Sequence, residues 1–411
     1  MGLIVQKYGG TSVANAERIQ NIAKRITEEK EKGNDVIVVV SAMGKSTDHL
    51  VDLAKGISAN PSKRELDMLL TTGEQITISL LAMALTDKGY AAISLTGWQA
   101  GIKTEPVHGN ARIIDLETNR VQKELEQGKI VVVAGFQGIT EDGSISTLGR
   151  GGSDTTAVAL AAAFKAERCE IFTDVTGVFT TDPRFVKEAR KLAALSYDEM
   201  LELAHLGAGI LHPRAVEFAK NYQIKLEVRS SIEKERGTVI EEDVHLEQNL
   251  VVRGVAFEDD ITRVTVLGLP DSLAGLSVIF SQLAKNQINV DIIIQSTTAE
   301  QLTNLSFSIK NNDLEETVKV LENCKSRLNY KQIETETKLA KVSIVGSGMV
   351  SNPGVAAEMF VVLAENNIAV KMVSTSEIKV STVIEQEQMI VAIEKLHTAF
   401  KLAKQPSESM K

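Results

Sequence analysis

The chain has 411 residues, more than one typical domain holds, and this length predicts two or three domains. Apolar residues make up 43% of it, which is enough to build domain cores and excludes a disordered chain. A formal net charge of −9 and an aromatic content of 4% argue against broad nucleic-acid binding. Any anion that the protein binds must therefore lie in a local basic pocket.

The apolar runs are far too short to span a membrane, and the first five residues are too short for a signal sequence. Two cysteines, Cys169 and Cys324, lie far apart and lack the spacing of a zinc site or a disulfide framework. We expect free thiols that are at least partly buried, in a cytoplasmic protein without a membrane partner.

The chain opens with an apolar strand that runs into a glycine turn, Leu3-Ile4-Val5-Gln6-Lys7-Tyr8-Gly9-Gly10-Thr11-Ser12. Gly9 and Gly10 would let backbone amides approach an anion, and Lys7 would add a full positive charge beside a helix N-terminus. This arrangement predicts a nucleotide site. The alternative is an ordinary corner between a strand and a helix.

As far as Arg229, apolar runs alternate with segments of helical period, which is typical of crossover connections and a mainly parallel sheet. Strands are predicted at 36–40, 91–95, 130–134 and 171–172. The first intervening helix should end at Gly33 and bury one apolar face, formed by Ile19, Ile22, Ala23 and Ile26.

Two further strand ends carry small and charged residues. Thr147-Leu148-Gly149-Arg150-Gly151-Gly152-Ser153-Asp154 leads into an Ala-rich helix. There Arg150 could grip a carboxylate through two parallel hydrogen bonds, while Ser153 caps the helix or touches a ligand. The alternative is a surface ion pair for Arg150 and simple capping by Ser153 and Asp154. The second loop, Ser41-Ala42-Met43-Gly44-Lys45-Ser46-Thr47-Asp48, supplies hydroxyls and a lysine.

Two more loops complete the set. In Thr71-Thr72-Gly73-Glu74, Glu74 could hold an ammonium group or be an ordinary acid in the first turn of a helix. The run from Thr173 to Arg184 ends a strand with acids, hydroxyls and an arginine. Because the carboxyl ends of parallel strands meet at one sheet edge, five such loops predict a ligand site. For His205 and His212, which belong to no catalytic motif, we expect core or capping roles.

After Gly237 two stretches repeat each other at an offset of 80 residues. The matched pairs are Phe280/Phe360, Leu283/Leu363, Ala284/Ala364, Asn286/Asn366, Ile288/Ile368 and Val290/Val370. Each copy reads strand, helix, strand, strand, helix over about 70 residues, the order of a small ferredoxin-like unit. A duplicated module behind an α/β core suggests regulation, and the alternative is a scaffold or a dimer interface.

These motifs, in their order and spacing, resemble the aspartate kinases, through Lys7-Tyr8-Gly9-Gly10-Thr11-Ser12, Ser41-Ala42-Met43-Gly44, Gly149-Arg150-Gly151-Gly152-Ser153-Asp154 and Thr180-Thr181-Asp182-Pro183-Arg184. The resemblance covers nearly the whole chain. It implies an amino-acid kinase fold at 1–240, with a mainly parallel sheet sandwiched between helices. It further implies two ferredoxin-like βαββαβ ACT domains at 260–330 and 340–405. We expect a monofunctional kinase without a homoserine dehydrogenase domain.

The resemblance implies transfer of the γ-phosphoryl group of ATP to the side-chain carboxylate of L-aspartate, for lysine, threonine and methionine synthesis. The implied nucleotide contacts are Lys7, Gly9 and Gly10 at the phosphates, with Thr173, Asp174, Phe179 and Arg184. The implied aspartate contacts are Ser41, Thr47, Glu74, Arg150 and Ser153. Arg150 suits the α-carboxylate and Glu74 the ammonium, while Asp154 would orient the phosphate-binding groups. Mg²⁺ is expected to be held mainly by ATP phosphates and water.

The resemblance also implies an effector site where ACT domains of two subunits meet, and hence a homo-oligomer. The implied effector contacts are Ser272, Asp291 and Gln295. Asp291 could pair with an effector ammonium, and the alternative is a solvated acid at a strand end. Lysine is the preferred effector, with threonine and diaminopimelate as alternatives.

The chain departs from the family pattern in three places. Gly209 stands where many relatives have lysine, and Phe179 where tyrosine is frequent. The first repeat has Asp271-Ser272-Leu273-Ala274-Gly275 in place of the usual Pro-Gly turn. Two other functions stay open: a kinase of another amino-acid carboxylate, such as glutamate or N-acetylglutamate, and a non-catalytic amino-acid sensor.

Overall fold

The computed structural model describes residues 2–206, 210–242, 251–270, 273–298 and 302–403, and the chain divides into two compact units. Unit 1 comprises Met1–Val178, Lys191–His205 and Gly209–Gln248. Unit 2 comprises Phe179–Arg190, Leu206–Ala208 and Asn249–Lys411. A short segment from the middle of the first 240 residues therefore belongs structurally to the C-terminal unit.

The strands and helices of unit 1 follow one another in the alternating order that the sequence predicts. They are β1 (Leu3–Tyr8), α1 (Ala16–Glu31), β2 (Asp35–Val40), α2 (Ser46–Ile57), α3 (Lys63–Leu70), α4 (Thr72–Asp87), β3 (Ala92–Leu95), β4 (Ile102–Thr104), β5 (Ile113–Leu116), α5 (Asn119–Glu126), β6 (Ile130–Ala134), β7 (Gln137–Ile139), β8 (Ile145–Thr147), α6 (Gly152–Ala163), β9 (Arg168–Thr173), β10 (Ala194–Leu195), α7 (Tyr197–His205), α8 (Pro213–Tyr222), β11 (Leu226–Ser230) and β12 (Thr238–Ile240).

Eight of these strands form one sheet in the order β10-β12-β11-β9-β1-β2-β6-β3. Every neighbouring pair is parallel except β11 and β12. The strands β5, β4, β7 and β8 form a second, smaller sheet. The predicted parallel sheet is thus confirmed, and the chain enters its centre first, at β1.

Helix α1 shows how the sequence directs this packing. Asn15 caps it, since its side-chain oxygen accepts a hydrogen bond from the Arg18 backbone N–H at 2.9 Å. The four residues predicted to form its apolar face are all buried in the core between the helix and the sheet. The helix ends before Gly33, whose φ of 86° turns the chain into β2.

The elements of unit 2 repeat one pattern twice. They are β13 (Gly254–Pro270), α9 (Leu273–Lys285), β14 (Ile293–Thr297), β15 (Leu302–Lys310), α10 (Leu314–Asn323), α11 (Lys325–Leu328), β16 (Gln332–Val345), α12 (Val355–Glu365), β17 (Met372–Thr375), β18 (Lys379–Glu385) and α13 (Met389–Ala399). Six strands form one antiparallel sheet in the order β14-β15-β13-β16-β18-β17.

The internal repeat is confirmed down to single hydrogen bonds. After α9, Gln287 has a left-handed backbone with φ of 59°, and after α12 Asn367 has φ of 56°. In both copies the next isoleucine donates its N–H to a helix carbonyl, from Ile288 to Leu283 at 3.0 Å and from Ile368 to Leu363 at 2.9 Å. These are the same C-cap, with the same leucine and isoleucine and with glutamine or asparagine at the left-handed position.

The two repeats share their long strands. Residues 254–258 of β13 pair with 341–345 of β16, which continues into the second repeat. The other half of β13, from Ile261, pairs with β15 of the first repeat. Val255 accordingly lies in the core of the second repeat and Val264 in that of the first. The first part of β13 thus adds a strand to the sheet of the second repeat, and the first part of β16 adds one to the sheet of the first repeat.

The segment Phe179–Arg190 is built into the core of the second repeat. Val186 lies among its buried residues, and the Phe185 ring meets Phe257 edge-on at 5.3 Å between centroids. The Thr180 hydroxyl lies 2.9 Å from Nε2 of His397, whose pKa is lowered by burial. These contacts explain why a segment with kinase-like sequence groups with unit 2.

One continuous helical stretch, Lys63–Asp87, is long and apolar enough to cross a membrane by length and composition, but half of its most apolar window is buried within the protein. Core helices of water-soluble proteins meet the same criterion. Its burial against the sheet, through Leu81 and Leu85 among others, accounts for its apolar character.

Replacing Gln287 by glycine should stabilise unit 2 by about 0.5–1 kcal/mol, because glycine adopts the left-handed backbone without the Cβ clash. The matched control is Asn367→Gly, which should gain less because asparagine tolerates this backbone better than glutamine. Scanning calorimetry of the whole chain measures both. A larger gain at Asn367 than at Gln287 would contradict this account.

Candidate functional site

The site lies where the parallel strands end. Strands β9, β1, β2 and β6 are adjacent and parallel, so their carboxyl ends reach the same sheet edge. Lys7, Ser41 and Thr173 stand at three of these ends. The backbone N–H of Ser41 donates to the Tyr8 carbonyl at 3.1 Å, which ties two of the loops together.

An ion pair joins the first glycine turn to the second. The Lys7 ammonium lies 2.7 Å from the carboxylate of Asp154, in the first turn of α6, and the two side chains are only 13% and 10% exposed. Low exposure limits solvent screening, so this pair restrains Lys7 more firmly than a surface pair could. The structure therefore brings Lys7 and Asp154 together as the sequence suggests.

The first glycine turn packs tightly against the loop after β2. A Cβ built on Gly10 would lie 2.9 Å from the Ala42 carbonyl oxygen, so only glycine fits there. The Gly44 backbone N–H also donates to the Gly10 carbonyl at 2.9 Å. In the same turn the buried Ser12 hydroxyl has no hydrogen-bond partner within the described ranges, a possible donor that sequence reasoning did not single out.

Glu74 is buried beside these turns, at 3% exposure. One carboxylate oxygen accepts a hydrogen bond from the Ala42 backbone N–H at 3.1 Å. The other oxygen is buried and has no hydrogen-bond partner among the described residues. Burial raises the pKa of Glu74 to about 7, against the lowering effect of the Ala42 bond. Such a carboxyl is prepared to accept a cationic donor that the protein itself does not supply.

Arg150 lies between two glycines with left-handed backbones, Gly149 with φ of 76° and Gly151 with φ of 67°. Its side chain is exposed and has no hydrogen-bond or ion-pair partner in the part of the chain that the structure describes. The surface ion pair considered as the alternative is therefore not formed there. Ser153 is buried at the start of α6, and Thr47 is half-buried in the first turn of α2.

His212 has the structural role expected from the sequence, and it supports the second glycine turn. Its Nδ1 accepts a hydrogen bond from the Arg214 backbone N–H at 3.3 Å and so caps α8. A Cβ on Gly151 would lie 2.1 Å from the His212 Cβ, so the ring packs directly against this glycine. Burial lowers the pKa of His212, which keeps the ring neutral.

The predicted nucleotide residues divide between the two units. In unit 1 the Thr173 hydroxyl donates to the exposed Asp174 carboxylate at 3.1 Å. Phe179 and Arg184 belong to unit 2, where the Arg184 guanidinium bonds the Asp182 carboxylate at 2.6 Å and 3.0 Å. A common nucleotide site for all four stays a prediction.

Of the predicted effector residues, Asp291 and Gln295 lie in unit 2, on or next to the exposed edge strand β14, and Ser272 lies outside the described residues. Asp291 Oδ2 is 2.5 Å from the ammonium of Lys341, which also lies 2.7 Å from Glu258. Burial disfavours this ammonium, but the two carboxylates outweigh burial and raise the pKa of Lys341. Asp291 is still half-exposed, with one oxygen open to a second partner.

Sequence reasoning missed the polar network beneath the site. The buried Glu170 carboxylate accepts hydrogen bonds from Gln6 at 2.8 Å and from Arg229 at 2.8 Å. The Tyr8 ring stacks on Phe172 at 4.6 Å. It also missed Asp67 and Arg214, which bind the second glycine turn. These residues stand inside helices and strands without a motif, so only long-range contacts identify them.

The described ranges contain no group of three His, Cys, Asp or Glu side chains that could hold a metal ion. Both cysteines are free, Cys169 buried and Cys324 partly buried, as expected. Burial raises the pKa of the Cys169 thiol, which makes it unreactive.

A lysine and a glycine turn at the end of a central parallel strand, beside a buried acid and an unpaired arginine, form an arrangement suited to binding a phosphate together with a small charged molecule. In agreement, the model of the amino acid kinase family matches residues 2–230, and an ACT domain model matches residues 342–400.

Relatives that match nearly the whole chain identify the group within the amino acid kinase family. The chain is 76% identical to an aspartokinase of Bacillus sp. (strain MGA3), over 98% of both chains. The structure of E. coli aspartokinase III in complex with aspartate and ADP superposes with a TM-score of 0.83 at 25% identity, covering 97% of this chain and 99% of that one. The same enzyme in complex with lysine and aspartate gives 0.77 at 25% identity, over the same shares.

The chain belongs to the aspartate kinases, which transfer the γ-phosphoryl group of ATP to the side-chain carboxylate of L-aspartate. The kinase fold and the ACT regulatory fold predicted from the sequence are both confirmed.

The pKa of Glu74 has a consequence for stability. Because the folded value of about 7 lies above the ordinary 4.5, the folded state binds this proton more tightly, and that stabilisation is lost as pH rises through 7. Relative to Glu74→Gln, the ligand-free wild type should lose on the order of 2–3 kcal/mol between pH 4.5 and 7.5. Urea unfolding at each pH measures this loss, with the exposed Glu65→Gln as control. A pH-independent difference for Glu74→Gln would contradict the assignment.

Proposed function

We propose that the strand-end site of unit 1 holds L-aspartate between Glu74 and Arg150, next to ATP phosphates at Lys7, Gly9 and Gly10. The observation that carries the proposal is the buried Glu74, whose second oxygen has no partner among the described residues. An ammonium would satisfy it. Arg150, unpaired and exposed, is available for two parallel hydrogen bonds to the α-carboxylate.

Ser41, Thr47 and Ser153 supply hydroxyls to the same substrate. With both ends of the amino acid held, its side-chain carboxylate is left free to react. An oxygen of that carboxylate bonds to the γ-phosphorus as the bond to the ADP oxygen breaks, and the products are 4-phospho-L-aspartate and ADP. No proton is transferred, so catalysis depends on alignment and on neutralising charge.

Lys7 is the main cation for the transferred group, and Asp154 keeps its ammonium directed at the glycine turn. In unit 1, Thr173 and Asp174 line the rest of the nucleotide, and contacts from Phe179 and Arg184 stay a prediction from the resemblance. The proposal includes a Mg²⁺ ion held mainly by ATP phosphates and water, because Mg²⁺ keeps several waters and binds through substrate phosphates. This ion would neutralise phosphate charge.

Regulation is assigned to unit 2. Lysine is the proposed inhibitor, supported by the lysine complex of E. coli aspartokinase III. Its ammonium would bind Asp291, with Ser272 and Gln295 as the other contacts that the resemblance implies, where ACT domains of two subunits of a homo-oligomer meet. Inhibition requires lysine to bind one arrangement of these domains better than another. Threonine and diaminopimelate remain the alternatives, and we expect a cytoplasmic enzyme.

The assignment of the two ends of aspartate is tested by substrate kinetics. Arg150→Ala should raise the KM for aspartate at least about tenfold, because a charged bidentate contact is lost, with a much smaller effect on the KM for ATP. ADP release at varied aspartate and ATP concentrations measures both constants. Arg120→Ala, an exposed arginine on α5, is the control and should change neither.

Equal effects of Arg150→Ala on both KM values would show that Arg150 does not bind aspartate. In the same assay, glutamate and N-acetylglutamate test the competing kinase functions. A higher kcat/KM for either would remove the aspartate assignment, and no aspartate-dependent turnover would favour the amino-acid sensor.

Asp291→Ala should raise the lysine concentration needed for half-inhibition at least about tenfold, with little change in uninhibited kcat. The matched control is Glu258→Gln, which also weakens the pairing of Lys341 but leaves Asp291 in place. Inhibition curves with lysine, threonine and diaminopimelate, singly and together, make the measurement. Unchanged inhibition in Asp291→Ala would move the effector site elsewhere.

A further inference from the structure

We propose that Asp67, on α3, is a positioning residue that sets the direction of Arg150 by fixing the start of its glycine turn. The proposal rests on the assignment of Arg150 to the substrate carboxylate. Asp67 does not reach the substrate itself. It is 1% exposed, and its carboxylate accepts hydrogen bonds from backbone and side chains of the protein.

The Asp67 carboxylate accepts four hydrogen bonds. Two come from Thr147, one from its hydroxyl at 2.6 Å and one from its backbone N–H at 3.1 Å. The others come from the Gly109 backbone N–H at 3.0 Å and from Nδ1 of His108 at 2.9 Å. Thr147 is the last residue of β8, so Asp67 anchors the point where the strand becomes the turn that carries Arg150.

Arg214, on α8, holds the next residues of the same turn. Its guanidinium donates to the Leu148 carbonyl at 2.8 Å, to the Ala111 carbonyl at 2.9 Å and to the Asn110 side chain at 3.0 Å. The Ala111 backbone N–H in turn donates to the Thr147 carbonyl at 2.9 Å. The buried Asp67 and the half-buried Arg214 thus hold residues 147–148 against residues 109–111.

These contacts matter for Arg150 because the guanidinium has no anchor of its own among the described residues. Its position depends on the backbone of a turn with two left-handed glycines, Gly149 and Gly151. Glycines leave the chain conformationally free, so an outside constraint must choose the direction. After Arg150, α6 and the His212 ring constrain the turn. Before Arg150, Asp67 and Arg214 constrain it.

The chemistry of Asp67 favours positioning over simple stabilisation. A carboxylate is costly to bury, and among the described residues Asp67 has no lysine or arginine partner. A neutral side chain at this position would fill the same space at a lower desolvation cost. The carboxylate, however, accepts four bonds at once from two chain segments, and three of them go to one oxygen, Oδ2.

Steady-state kinetics of the full-length enzyme test the role. Asp67→Leu should raise the KM for aspartate about tenfold, because the buried Thr147 N–H and the part-buried Gly109 N–H lose their acceptor, and should leave the KM for ATP within about twofold. Asp67→Asn keeps an acceptor oxygen for the N–H groups and should restore most of the wild-type KM. Thr147→Val removes only the hydroxyl bond and should raise the KM for aspartate about threefold.

A double-mutant cycle separates positioning from general stability. In an Arg150→Ala background, Asp67→Leu should have no further effect on the KM for aspartate if it acts through Arg150. Glu124→Leu is the matched control. Glu124 is also a buried acid of unit 1, but it lies on α5 and pairs with Lys129, which follows that helix. This variant should lower the melting temperature without changing the KM for aspartate.

Additive effects in the cycle, or an unchanged KM in both Thr147→Val and Asp67→Leu, would overturn the positioning role. If Asp67→Leu does not fold, Thr147→Val and Asp67→Asn still decide the question. Should Arg150→Ala itself leave the KM for aspartate unchanged, the proposed substrate contact fails. Should Arg150→Ala raise it while the Asp67 and Thr147 variants do not, only the positioning role fails.

Discussion

The ion pair between Lys7 and Asp154 connects the central strand of the sheet to the helix that follows the second glycine turn. It forms because parallel strands deliver their carboxyl ends to one edge, where the turn after β1 meets the start of α6. Without ligand, Asp154 satisfies the Lys7 charge in a poorly exposed place. In the proposed complex, phosphate oxygens would share this ammonium with Asp154, and the ion pair would hold Lys7 near the glycine turn before ATP binds.

The two proposed substrate contacts differ in physical character. Glu74 is buried, held by the Ala42 amide, and its pKa is raised to about 7 by desolvation. It gains most from a ligand ammonium because that cation compensates its burial. Arg150 is solvated and supported only through its backbone. With the buried Glu74 at the substrate ammonium and Arg150, carried by a glycine turn, at the α-carboxylate, the site would favour substrates whose length fits between the two residues and the γ-phosphate.

Local patterns predicted much of this architecture. Apolar runs gave the parallel strands, helical spacing gave the buried face of α1, and the 80-residue offset gave two repeats with the same C-cap at Gln287 and Asn367. Long-range pairing was not visible in the sequence, so the exchange of strand halves between β13 and β16 was missed. Asp67 was missed for the same reason, since four hydrogen bonds from three residues in two distant segments leave no local signature.

The repeats are alike in backbone but opposite in charge at the proposed effector position. The offset of 80 residues places Lys371 in the second repeat where the first has Asp291. The Lys371 ammonium is neutralised internally by Glu336 at 2.8 Å and Glu385 at 2.9 Å. At the proposed effector site, a ligand ammonium would meet the half-exposed carboxylate of Asp291 in the first repeat, whereas the corresponding position of the second repeat holds a lysine already paired with two acids. Duplication has therefore produced two copies of one fold that place an acid, Asp291, and a base, Lys371, at corresponding positions.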